Sequence, residues 1–325
     1  MTSGQESSHH RPGQVTDPSR SADRSLRTRA ARFVPIVFVV ATAFFAWWQL
    51  RDQWSDIVTA MTGLPPGRWL AAGVLIGLGT LATAIAWFVT LTRFGHRIAW
   101  SDALAILFVG QLGRYLPGSL WSVGAQAKMA RRCGVPVRVS VATGLIFIGW
   151  HLATAVAVGS TAVLVDVIDV SLPTWLAAVA LSISVASTSP PVINRVGTRL
   201  VGGQAALAGR WGDWAGIWLV FVLTWSMFGC ALALLNSPDG ATLPVGTSIG
   251  AFTLAYAIGL VVVIAPAGLG AREVAVVSLV SPAIGTSQAA AAVLLSRVLF
   301  VVTDFLIASI TWSLHRRTTG RAAEP

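Results

Sequence analysis

The sequence predicts an all-α polytopic membrane protein of about six transmembrane helices plus two Pro/Gly-broken re-entrant hairpins in an inverted repeat. Three observations lead there. Composition is the first: 54% of the 325 residues are hydrophobic and 11% charged, with a mean hydropathy of +0.71, outside the range of soluble domains. The second is a pair of apolar segments broken at proline and small residues, Leu116–Gly124 (LPGSLWSVG) and Val261–Glu273 (VVVIAPAGLGARE). Proline removes a backbone donor and bars a straight continuation, and glycine admits close approach. The third is their spacing. Pro266 follows Pro117 by 149 residues. The same offset lays Gly118-Ser119-Leu120-Trp121 on Ala267-Gly268-Leu269-Gly270, Ser140-Val141-Ala142 on Ala289-Ala290-Ala291, and Trp69 on Trp218.

In chain order, residues 1–32 are polar, Ser- and Arg-rich and too poor in apolar residues to fold alone; they read as a disordered basic cytoplasmic tail. Residues 33–50 could imitate a signal peptide, but Phe44-Phe45 and Trp47-Trp48 stand where small cleavage residues would be required, so the segment reads as the first span. Further apolar segments follow at 69–92, 102–131 (broken), 139–165, 172–193, 215–236, 248–281 (broken) and 288–312. The unbroken ones approach the length that crosses a hydrocarbon core of roughly 30 Å. Each arm of a broken segment has about fifteen residues, near 22 Å at the helical rise, too short to cross alone. One transmembrane domain spans 33–312, with halves at about 33–165 and 172–312, before a cytoplasmic tail at 313–325.

Charge decides whether the broken segments cross or return. With the Arg-rich leader in the cytoplasm, a crossing at 102–131 would place Lys128, Arg131, Arg132, Arg138, Arg195, Arg199 and Arg210 outside. A re-entrant segment puts all of them inside, with Asp166, Asp169 and Asp239 outside, and the positive-inside rule selects that arrangement. Each half then has an odd number of crossings, so the halves are inverted and the hairpins enter from opposite sides. Interrupted segments at corresponding places in two halves point to a midplane binding site.

The net charge of +10 resides mainly in the tail and in short loops beside apolar segments. It reports membrane orientation, and no nucleic acid is expected as a partner. Cys133 and Cys230 offer neither a disulfide framework nor metal-ligand spacing, and no nucleotide-binding loop is present. No cofactor or metal is therefore expected. Ionisable residues in apolar segments are costly and are site candidates by default. They are Arg114, His151, Arg272, Glu273, Arg297 and Asp304, with Asp102 and Lys128 at the mouths. Arg297 and Asp304 lie two turns apart on one helix face. Each has a structural reading beside the functional one: Arg272-Glu273 as an ion pair at a helix end, His151 as a packed helix residue, most Trp as interfacial anchors.

At Pro266, Gly268, Gly270, Arg272 and Glu273 the chain resembles the transmembrane domain of the lysylphosphatidylglycerol synthase/flippase family, whose second half carries a P-x-G-x-G-x-R-E motif followed by a helix bearing an Arg, here Arg297. The resemblance runs over roughly 33–312. The first half departs from the family's P-G-R-x-G-E pattern: Ser119, Trp121 and Ser122 stand for its Arg, Gly and acid, within GQLGRYLPGSLW, Gly110–Trp121, which looks like the branch found with glycan-assembly enzymes. The aminoacyl-transferase domain is absent, so the resemblance implies translocation of an anionic lipid or lipid-linked saccharide across a bacterial cytoplasmic membrane, not lipid synthesis. Glycosyltransferases or lipid synthases are the partners it implies.

The expected binding residues are Arg114, Pro117, Gly118, Ser119, Trp121, Pro266, Gly268, Gly270, Arg272, Glu273, Arg297 and Asp304. Helix starts near Ser119 and Gly268 would offer N–H groups to an anion, and Arg114 and Arg272 bidentate phosphate contacts. Glu273 and Asp304 would orient the arginines or carry a proton. Trp121, Tyr115 and Trp150 would stack on a sugar or fill space. Two rival readings stand: a polytopic glycosyltransferase using a polyprenyl-phosphate sugar, for which Asp52 and Asp56 are the available outer acids, and a non-catalytic membrane scaffold of cell-envelope assembly.

Overall fold

The computed structural model describes residues 37, 40, 41, 44, 47, 48, 51–116, 121–170, 173–202, 211–236, 242–261 and 270–321. The basic leader, most of the first apolar segment, both proline tips (Pro117, Gly118 and Ser119; Pro266 and Gly268) and the last residues of the tail lie outside them. Residues 1–41 and 42–325 are separate units; in the first, Val37, Val40 and Ala41 are helical.

The second unit is helical throughout its ordered elements: α1 (Trp54–Thr62), α2 (Pro66–Arg93), α3 (Trp100–Gln111) continuing as a 3-10 turn (Leu112–Tyr115), α4 (Trp121–Arg132), α5 (Val137–Leu164), α6 (Thr174–Ser187), α7 (Pro190–Val201), α8 (Trp211–Leu234), α9 (Val245–Val261), α10 (Ala271–Ile284) and α11 (Thr286–Arg321). Among the described residues α2, α5, α8 and α11 are long and apolar enough to cross a membrane. They coincide with segments expected at 69–92, 139–165, 215–236 and 288–312.

The segment 172–193 is not one straight span. Its helix stops at Ser187, bends by 59° and restarts at Pro190 as α7. The physical reason is in the residues: Pro190 and Pro191 lack the N–H groups that a continuing helix would pair with the preceding turn.

Both broken segments fold back on themselves. α3 packs along α4, and α9 along α10. In the first hairpin the backbone of Gly113 lies against Trp121 and Ser122 while Gly110 lies against Gln126, so the arms run antiparallel in close contact. Gly259 faces Arg272 in the second in the same way. The first arm of each hairpin packs on the last helix of the other half, α3 on α11 and α9 on α5. Such reciprocity is what a two-fold relation between halves requires.

At the centre α2 lies against α8. The Thr224 hydroxyl donates to the Gly79 carbonyl at 3.3 Å. Trp87 and Trp225 are fully buried, and each indole N–H is answered across a helix interface: Trp87 by Gln126 Oε1 at 3.2 Å, Trp225 by Thr154 Oγ1 at 3.0 Å. In lipid the hydrophobic effect does not drive helices together, so small residues that let backbones approach carry the packing. A Cβ on Gly229 would stand 2.4 Å from the Ile249 Cα. Gly229→Ala should therefore destabilise the protein by about 1–3 kcal/mol, read as a lowered thermal midpoint in detergent. Gly124→Ala, where a Cβ meets nothing within 4 Å, should leave the midpoint unchanged or raise it.

Candidate functional site

The 3-10 turn that ends the first arm of hairpin one carries Arg114 and Tyr115 toward α11. There Arg114 forms an ion pair with Asp304. The Tyr115 hydroxyl donates to the same carboxylate oxygen at 2.5 Å, and its ring lies 5.3 Å from the Arg114 guanidinium. Asp304 is buried; two donors on one oxygen are what allow a carboxylate to remain there. Asp304 thus serves hairpin one, although it shares a helix face with Arg297.

Arg297 instead pairs with Glu273 at the start of α10, Nη1 to Oε1 at 3.2 Å. The other Glu273 oxygen accepts the Gly270 backbone N–H at 2.8 Å. Gly270, at φ 85°, makes the turn into α10 in a backbone region that side chains disfavour. Glu273 thus takes one of the backbone donors at the start of α10; Ser119 and Gly268, where the helix starts are expected, lie outside the described residues. The neighbouring pair Arg272-Glu273 is likewise not an ion pair, because consecutive residues on a helix point in different directions.

Arg272 is held by aromatic rings. Its guanidinium lies 4.6 Å from the Phe252 ring centroid, 5.7 Å from Tyr256 and 5.4 Å from Phe300. Among the described residues no carboxylate lies within ion-pair distance of it. Cation–π attraction strengthens as water is removed, so the rings keep the charge in place without cancelling it. Gly259 makes room: a Cβ there would come within 2.9 Å of the Arg272 Cβ.

The two hairpins meet electrostatically. Arg114 of the first lies within range of Arg272, Tyr256 and His151. His151 rests edge-on against Phe147 and Phe221, at 4.4 and 4.5 Å between centroids, with Nδ1 donating to the Phe147 carbonyl at 3.0 Å. The site therefore joins Arg114, Arg272, Glu273, Gly270, Arg297 and Asp304, and adds Phe252, Tyr256 and Phe300, which the sequence reading did not single out. A signal for two of them existed: Phe252 and Tyr256 are four residues apart on one face of the first arm. Trp121, at the start of α4, is exposed. Trp150 is buried and stacks on Phe221, a packing role. Asp52 and Asp56 are exposed, Asp52 in an ion pair with Arg51. Among the described residues no group of acidic, His and Cys side chains could hold a metal.

At the basic end of the bundle Asp102 binds His315 Nδ1 at 2.7 Å, tying α3 to α11. Its other oxygen accepts from Cys133 Sγ at 3.8 Å. Burial first, then the Asp102 charge, pushes the Cys133 thiol above its ordinary value. A raised thiol pKa leaves less thiolate at any given pH. Alkylation of Cys133 should accordingly begin at higher pH than for an exposed cysteine, and Asp102→Asn should move that profile to lower pH.

A family model described as Lysylphosphatidylglycerol synthase TM region matches residues 33–308, which include both hairpins, Arg297 and Asp304. No curated protein sequence matches the chain.

Proposed function

This chain belongs to the Lysylphosphatidylglycerol synthase TM region family, and from that premise we propose that it translocates an anionic lipid, or a lipid-linked saccharide, between the leaflets of the bacterial cytoplasmic membrane. The observation that carries the reading is that Arg114 and Arg272, from two fold-back hairpins, lie in one site whose three arginines outnumber its two carboxylates, Asp304 and Glu273. Arg114 and Arg297 have their carboxylates, Asp304 and Glu273. Among the described residues Arg272 has rings and no carboxylate within ion-pair distance, and the tip residues 117–120 (PGSL) and 262–269 (VVIAPAGL) contain no ionisable side chain. An unanswered guanidinium at membrane depth is costly, and a passing phosphate answers it.

In this reading the hairpins enter from opposite leaflets and both termini are cytoplasmic. The headgroup phosphate docks on Arg272, exchanges contacts with Arg114, and leaves toward the other side while the acyl or prenyl tails remain in hydrocarbon. Glu273 and Asp304 hold the flanking arginines in register as the phosphate moves. Gly259 sets the depth of Arg272, and the three rings keep its guanidinium from collapsing onto Glu273.

The test is reconstitution into vesicles with fluorescent phosphatidylglycerol, scored by how fast label in the inner leaflet becomes accessible to an external reductant. Arg272→Ala should slow movement on the order of a hundredfold, the equivalent of one charge-assisted contact, with the protein still inserted. Arg272→Lys should fall between, because an ammonium lacks the bidentate fork. Wild-type movement by Arg272→Ala would remove the assignment.

A further inference from the structure

We propose that α7 is a binding surface for anionic phospholipid, seated in the headgroup layer at the basic end of the bundle. The bend at Thr188-Ser189 takes α7 59° away from the direction of α6, so it cannot continue a crossing along that axis. Its surroundings fix its level. A small cavity is closed by Pro190, Ile193 and Asn194 on the α7 side and by Arg93, Asp213 and Trp214 on the other. Arg93 is the last residue of α2 and Asp213 lies in the first turn of α8, joined by an ion pair of 2.5 Å. At its far end α7 stops at Gly202, where an added Cβ would lie 3.7 Å from Arg138 Nη1 in the first turn of α5. α7 therefore runs across the charged ends of α2, α5 and α8, where hydrocarbon gives way to headgroups.

The face turned away from the protein has two stripes. Val192, Val196 and Leu200 recur every fourth residue and are 39%, 40% and 38% exposed. Arg195 and Arg199, also four apart, are exposed, and among the described residues neither makes an ion pair. Each arginine stands three residues from a valine, so the stripes are neighbours along one side of the helix. The opposite side, with Pro190 and Gly197, is buried. There is no acidic residue on α7.

A helix lying in the interface seats its apolar side about 5–10 Å into the headgroup and acyl boundary and sets its basic side against anionic lipid. The occupant that matches an apolar stripe flanked by two guanidinium groups with no ion pair among the described residues is the phosphodiester headgroup with the upper part of its chains. Arginine suits it because its planar fork takes two phosphate oxygens at once. The site is separate from Arg114 and Arg272, and it does not require that the protein move lipid.

The test uses the full chain in phosphatidylcholine vesicles, carrying Cys133→Ser, Cys230→Ser and a fluorophore on Val196→Cys. Quencher nitroxides are placed high on the acyl chain of either phosphatidylglycerol or phosphatidylcholine. Half-maximal quenching should need a severalfold lower mole fraction of labelled phosphatidylglycerol than of labelled phosphatidylcholine. Two arginines at an anionic surface set the ceiling of that preference on the order of thirtyfold. The preference should collapse in Arg195→Gln/Arg199→Gln, survive in Arg195→Lys/Arg199→Lys, and fade in high salt. The lysine variant separates loss of charge from loss of fold. Equal quenching by the two lipids overturns the proposal, as does a preference that survives the glutamine variant. A fluorophore reached by aqueous iodide and by neither lipid overturns it as well, and gives the face to a soluble partner.

Discussion

An arginine within an apolar bundle must be answered, and the way three arginines are answered organises this protein. Arg114 is met by Asp304 and Arg297 by Glu273. Both pairs end on α11, which receives the 3-10 turn of hairpin one at Asp304 and the head of hairpin two at Arg297. That helix is therefore the common support of two elements that would otherwise be free to slide. Asp304 is buried, so removing its cation would leave its charge uncompensated. Arg272 is the exception, held by Phe252, Tyr256 and Phe300, with no described carboxylate at ion-pair distance.

Close backbone approach is the second half of the arrangement. Gly110, Gly113 and Gly259 lie where the arms of the hairpins touch, and Gly229 and Gly250 where α9 meets its neighbours. Hairpins of short helices cannot rely on length to stay in a membrane. They must be packed into protein that satisfies their broken backbone, and small residues allow that packing without voids. Charge pairing sets the position of the hairpins along the bundle, and glycine contact sets their distance from it.

Much of this was legible in the sequence, for identifiable reasons. Hydropathy reports burial over tens of residues, so the helices at 66–93, 137–164, 211–234 and 286–321 coincide with apolar segments. Proline and glycine punctuate locally, so the breaks at Pro117 and Pro266 and the offset between them are visible in the sequence, and the arms on either side pack against each other. The pairing of charges was not. Tyr115 and Asp304 are 189 residues apart in sequence, a separation at which no periodicity operates, and the face shared by Arg297 and Asp304 says nothing of the partners each finds on the hairpins. The aromatic enclosure of Arg272 draws on α9 and α11 together, and only the fold brings those helices to one guanidinium. The bend before α7 had its warning in Pro190-Pro191, overridden because apolar character continues up to it.

The central claim, that two hairpins enter from opposite sides and bring their arginines to one place, is tested most directly by labelling single cysteines in intact cells. With Cys133→Ser and Cys230→Ser as background, Arg131→Cys, Ser237→Cys and Ser287→Cys would each be exposed to a membrane-impermeant thiol reagent. The account predicts labelling from outside at 237 and 287 and none at 131 until the membrane is opened. Labelling from outside at 131 would mean that the segment 100–132 crosses, and the shared site would no longer exist.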